Sequence, residues 1–298
     1  MHTATDLPDA VRDLYPFRGK HLEQEPGVRQ HYLCEGEGRA GTVVLVHGNP
    51  TWSFFYRDWV RHLVDHGIRC IVPDHIGCGL SDKPPAYPYR LAQHQDNLAA
   101  ILKQEGVDHY SLVVHDWGGA IGLGVAARHP GCIGRIAILN TAAFPMRRIP
   151  LRIALCRLPG LGPFVVRRFN AFAGPAIRLA VVNPLPGAVA EGYRWPYRTA
   201  ADRVAIAAFV QDIPLAPDHP SWATLQATAS GLAAFKDKPV SLFWGERDFC
   251  FDQPFLAEWQ HRLPNATVHR LPGVGHYVPE DGGQELAKRV GAFLADSS

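Results

Sequence analysis

The chain has 298 residues, 47% of them hydrophobic and 19% charged, enough to bury roughly 75% of its unfolded surface in one or two domains. A formal net charge of +2 gives no general electrostatic case for nucleic acid. No stretch reaches the roughly 18 uninterrupted apolar residues of a membrane span, which leaves an enzyme-sized globular protein.

Residues 1–25 carry Pro8 and Pro16 and few periodic apolar positions, and are expected to form a loose arm. Met1 to Val11 includes Asp6 and Asp9 and no apolar run, which argues against a secretory signal and for a cytoplasmic protein. Val28 to Cys34 alternates as an early strand. Thr42–Val46 and Cys70–Val72 are short continuous apolar runs, the pattern of strands covered on both faces. His47-Gly48-Asn49-Pro50 and Pro73 to Gly79 follow them as loops. Trp52 to His66 and Leu91 to Gln104 have helical spacing. Tyr110 to Val114 is again a strand, and it stops at His115-Asp116-Trp117-Gly118-Gly119, with a helix expected to about His129. Arg135 to Leu139 is the next strand.

The βαβ alternation then breaks. From 142 to 234 no strand is evident, and helical pieces are expected near 151–157, 163–172 and 199–210. The sheet resumes at Val240–Trp244. A helix near 253–263, a strand at Thr267–Leu271 and a closing helix from about Gly283 to Ala295 complete it. This predicts an α/β fold with a mostly parallel sheet, helices on both faces and a helical insertion over one edge. The six cysteines are scattered without close pairs, so buried reduced thiols are expected rather than a zinc site or a disulfide framework.

Polar residues that follow four of these strands are Asn49, Asp116, Asp248 and His276. Ligands of open α/β sheets bind outside the carboxyl ends of the strands, so all four are expected on one edge. Asp116 stands at the tip of a strand-to-helix corner, the geometry of a nucleophile elbow. The order Asp116, Asp248, His276 is that of nucleophile, orienting acid and base. A lone Asp at a strand end is more often a helix N-cap; the corner and the later histidine outweigh that. Glu246 is an alternative acid to Asp248, which lies further from the strand end. The other histidines receive no role, and Asp74 and Asp82 are expected to tie loops together. Backbone N–H groups after Val46 and at Trp117 would form an oxyanion hole, and the side chains of Asn49 and Trp117 add two donors able to hold a departing anion.

A carboxylate attacks alkyl carbon well and acyl carbon poorly. Halides, strained epoxides and strained lactones are therefore the substrates to consider. No metal or organic cofactor is needed, and no phosphate-binding loop or metal motif is present in the sequence.

HGNPTW, PDHIGCGLSDKP, VHDWGGAIG, WGERDFCF and GVGHYVPED resemble the haloalkane dehalogenase branch of the α/β-hydrolase superfamily over nearly the whole chain. LYPFRGKHL, LNTAAFP, RIPLRIALCRLPGLGPF and DRVAIAAFVQDIPLAPDHPSWATL resemble a group within it, the β-lactone decarboxylases of bacterial long-chain olefin biosynthesis. The resemblance implies a core of residues 1–141 and 235–298 with a cap, 142–234, inserted after the sixth strand. It implies Asp116 as nucleophile, His276 as base, Asp248 as acid, and Asn49 with Trp117 as the anion-binding pair. The implied activity is conversion of cis-dialkyl β-lactones to cis-alkenes and carbon dioxide, with hydrolysis of alkyl halides as the alternative. The cap residues Phe144, Leu151, Leu158, Leu161, Phe164 and Val165 are expected to face an apolar substrate or to pack as plain helical core. The arginines at 147, 148, 152, 157, 167 and 168 form a solvated face or a docking surface for lipid headgroups or for other enzymes of the olefin pathway.

Overall fold

Runs of β-branched and aliphatic residues form the centre of the molecule, which a computed structural model describes over residues 3–295. Eight strands make one sheet: β1 Lys20–Glu25, β2 Val28–Glu35, β3 Thr42–Val46, β4 Arg69–Pro73, β5 Tyr110–Asp116, β6 Ile133–Thr141, β7 Val240–Gly245 and β8 Thr267–Leu271. Their spatial order is β1-β2-β4-β3-β5-β6-β7-β8. β2 pairs antiparallel with both β1 and β4, and all the other neighbouring strands pair parallel. The central strands are buried on both faces, which is why they read as continuous apolar runs.

Helices α1 Asp9–Arg12, α2 Arg57–Asp65, α3 Leu91–Gln104 and α4 Trp117–Ala126 precede β6. Six more lie between β6 and β7: α5 Leu151–Cys156, α6 Leu161–Phe169, α7 Ala173–Leu179, α8 Gly187–Arg194, α9 Val204–Gln211 and α10 Trp222–Gly231. α11 Gln253–Arg262 and α12 Val278–Ala295 close the chain, with α12 broken at Gly283 (φ 56°, ψ −155°), where the sequence expects its start. Two apolar cores result, one on each side of the sheet.

The loose arm expected over residues 1–25 is a correction; residues 1 and 2 lie outside the described chain. Leu7, Val11 and Tyr15 are fully buried, and the Tyr15 hydroxyl meets Ser53 Oγ at 2.5 Å. β1 escapes sequence reading because its residues, KHLEQE, are polar at a half-solvated edge. In the insertion, α7 and α8 were not foreseen, being short and carrying internal Gly or Pro, and α10 was missed because WATLQATASG has few large apolar positions to mark a helical face.

β3 leads leftward to β4 and β5 leads rightward to β6, so the strand order reverses between β3 and β5. Asn49 follows β3 and Asp116 ends β5, on the two sides of that switch point.

Candidate active site

Asp116 occupies the corner between β5 and α4 with φ 51° and ψ −125°. A non-glycine residue there stores roughly 1–3 kcal/mol of strain, which the packed surroundings hold in place. Glycines make room for it. A Cβ on Gly48 would sit 2.1 Å from Asp116 Oδ1; one on Gly118 would sit 2.0 Å from the Val46 carbonyl oxygen. Thr141 Oγ1 donates to the Asp116 carbonyl from β6. The carboxylate does not cap its own helix in the usual way. Instead Oδ1 accepts the Asn49 backbone N–H at 2.7 Å, and the Trp117 backbone N–H also bonds the carboxylate.

Oδ2 lies 3.9 Å from His276 Nε2, and His276 Nδ1 lies 2.8 Å from Asp248 Oδ2. The Cys250 backbone N–H donates to Asp248 Oδ1 at 2.6 Å. Asp116, Asp248 and His276 are all more than nine-tenths buried. Glu246, the alternative acid, pairs instead with Arg270 at 2.9 Å on the surface. Burial pushes the Asp116 carboxyl above the ordinary range, although His276 and the two backbone N–H groups pull it back. Burial pulls the His276 imidazole down, but Asp248 and Asp116 outweigh it and the ring titrates above its ordinary value.

The Asn49 side chain and the Trp117 ring both line a cavity with Asp116. Asn49 Nδ2 donates to the Ile206 carbonyl of α9 at 3.2 Å, and the Trp117 ring packs 5.3 Å from Phe209 of the same helix. All five residues singled out in the sequence thus converge. An anchored carboxylate facing an apolar cavity and an oriented imidazole, with the Asn49 and Trp117 side chains beside it, can attack an electrophilic carbon and hold the charge that leaves.

Two supporting residues were not foreseen. His115 Nε2 bonds the His276 carbonyl at 2.8 Å, fixing the loop that carries the ring. Asn140 bridges to Gly245 through its side chain, at 2.9 Å to the carbonyl and 2.7 Å from the N–H, beside the loop of Asp248. The alternation of a strand points His115 away from Asp116, which is the signal that could have found it. Asp74 and Asp82 tie loops as expected: Asp74 accepts from Ser53, Leu80 and His31, and Asp82 from Arg29.

The expected cap lining is only partly right. Phe144 lines the cavity, but Leu151, Leu158, Leu161 and Phe164 are exposed and Val165 is half-buried. Ile149, Ile153, Phe172, Ile213 and Leu225 line it instead. Helical spacing in a short insertion does not say which side faces inward; in α6 that side is Gly162 and Val166.

Residues 41–172 match the family model of the alpha/beta hydrolase fold. The chain is 42% identical to a cis-3-alkyl-4-alkyloxetan-2-one decarboxylase of Shewanella oneidensis, covering 95% of this chain and 90% of that protein. The chain belongs to the α/β-hydrolase superfamily. Within that superfamily it is an enzyme of the haloalkane dehalogenase-like branch. The decarboxylase of the same name from Xanthomonas campestris is also 42% identical, over 94% of this chain and 97% of its own length. A haloalkane dehalogenase of Mycobacterium marinum is 31% identical over 93% of each. The crystal structure of haloalkane dehalogenase DbeA from Bradyrhizobium elkani superposes on this α/β-hydrolase with a TM-score of 0.83 at 28% identity, over 93% of this chain and 97% of that one.

Proposed function

We propose that the protein decarboxylates cis-3,4-dialkyl β-lactones to cis-alkenes and carbon dioxide, as a step of long-chain olefin biosynthesis in the cytoplasm. The observation that carries this reading is Asp116, with Oδ1 held by the Asn49 N–H, Oδ2 3.9 Å from His276 Nε2 and apolar walls around it. The names of relatives 42% identical over nearly the full chain favour the lactone over the halide.

Asp116 Oδ2 attacks the ring carbon that bears oxygen. The C–O bond breaks, leaving an alkyl ester on Asp116 and a free carboxylate on the neighbouring carbon. The bond from that carbon to the carboxylate then breaks. Its electrons form the double bond and expel Asp116, so carbon dioxide leaves and no water is consumed. Asn49 and Trp117 hold the carboxylate released on ring opening. No proton moves in this cycle, so His276, steadied by Asp248, acts by its charge. In the alternative, alkyl halide hydrolysis, His276 must be neutral to activate water against the aspartyl ester.

Residues 142–234 are taken as a cap on a core of 1–141 and 235–298. Its outer face would meet the enzymes that supply the lactone. Residues 142–190 contain seven arginines and no acidic residue, and the large apolar side chains that stand most exposed, from Leu151 to Val182, fall within that span.

The deciding experiment offers a synthetic cis-dialkyl β-lactone and a bromoalkane side by side. Alkene without bromide release is expected. Rapid bromide release without alkene would reverse the assignment, and an alkyl adduct on Asp116 in a His276→Ala variant would then mark the hydrolytic cycle.

A further inference from the structure

Asp116 does not open into one cavity. It lines two, each walled by its own set of mostly apolar side chains. Asn49 also lines both. Beyond that pair the walls share only Ile153, Phe172 and Cys250. One chamber runs from Trp117 toward Ala120, Ile213, Leu225 and Phe255. The other runs from His276 toward Cys156, Ala176, Leu179 and Tyr277. Both are mostly apolar, and Ile153, Phe172 and Cys250 stand between them.

We propose that the two chambers each take one alkyl chain of a disubstituted substrate, with the reacting ring held at their junction over Asp116. This rests on the lactone reading and deepens it. A substrate with a single chain would fill one chamber and leave the other empty. A four-membered ring with chains on adjacent carbons presents two apolar arms that start side by side, which is what two apolar arms meeting at one carboxylate accommodate. Each chamber then sets its own length limit, so chain preference on the two ring carbons is separable by mutation. Ile213 and Ile149 bound the first chamber, and Ala176 and Leu179 the second.

The test uses two unsymmetrical cis-lactones that exchange a long and a short chain between the ring carbons, with a short symmetrical lactone as control. Ala176→Phe should lower kcat/KM for one isomer about tenfold or more while sparing the other, and Ile213→Trp should do the reverse, because filling a fitted apolar pocket discriminates on that scale. Both variants should still turn over the short lactone, with a loss much smaller than that on the disfavoured isomer, and keep the wild-type circular dichroism spectrum, which shows that fold and chemistry are intact. Should either lose it, Leu179→Trp and Ile149→Trp probe the same walls from other positions. Equal penalties on both isomers from every variant would mean one shared cavity and overturn the partition. Failure of the wild-type protein to convert even the short lactone would instead remove the lactone reading itself.

Discussion

At Asp116 the side chain, the backbone strain and the neighbouring glycines serve one end: a carboxylate pointed at apolar space with one oxygen anchored. Asp116→Ala should lower lactone turnover by on the order of 10⁴-fold or more with the fold retained, as measured by product formation and circular dichroism; near-normal turnover would remove Asp116 from the mechanism. Around it lie imidazoles that burial keeps neutral. His47, His75 and His115 are held below their ordinary value, and His94 down to about 3. In the unfolded chain each takes up a proton near pH 6.5. Below pH 6.5 the unfolded state therefore binds more protons and stability falls as pH falls; for His94 the window runs down to about pH 3, at roughly 1 kcal/mol per pH unit. His276 has the opposite sign, because its raised value adds stability at low pH that is lost on going up. With four lowered rings against His276 and the raised Asp116 carboxyl, the urea midpoint should drop from pH 7 to pH 5. A midpoint that holds or rises would show that these rings are not kept neutral. The sequence assigned none of the four, since a buried histidine leaves no periodic trace of its own.

At the scale of elements, loops and corners were more legible than helices. The polar clusters after β3, β5 and β7 stood out because those strands are buried and apolar almost to their ends, so polar residues mark the sheet edge; the half-exposed β8, TVHRL, was followed by a Pro-Gly loop that marked His276 instead. The insertion was legible as a break in alternation, but not in its facing, and the edge strand β1 was missed for lack of an apolar face. Gly48 shows how close the β3 loop comes to the corner after β5. Gly48→Ala should push the Asp116 carboxylate aside and cost about 100-fold in turnover, the scale of a displacement of about 1 Å at a reacting group. Its melting temperature should shift far less than its activity; unchanged turnover would show that the carboxylate has room the structure does not give it.

Across the whole molecule, the sheet converts sequence order into proximity. Asn49, Asp116, Asp248 and His276 are spread over more than 200 residues yet meet on one edge, because four parallel strands end there. That convergence was readable from alternation alone. The two chambers were not, since their walls come from the insertion and from α3, α4 and α11 together, and no local pattern records which of those side chains share a space. Their partition bears on speed as well as on selection. An alkene with one tail on each side cannot depart until a tail is drawn back past the carboxylate. Departure is then slower than bond breaking. Rapid-mixing experiments should reveal a first equivalent of alkene formed in a burst, followed by a slower steady rate that declines further as the tails lengthen.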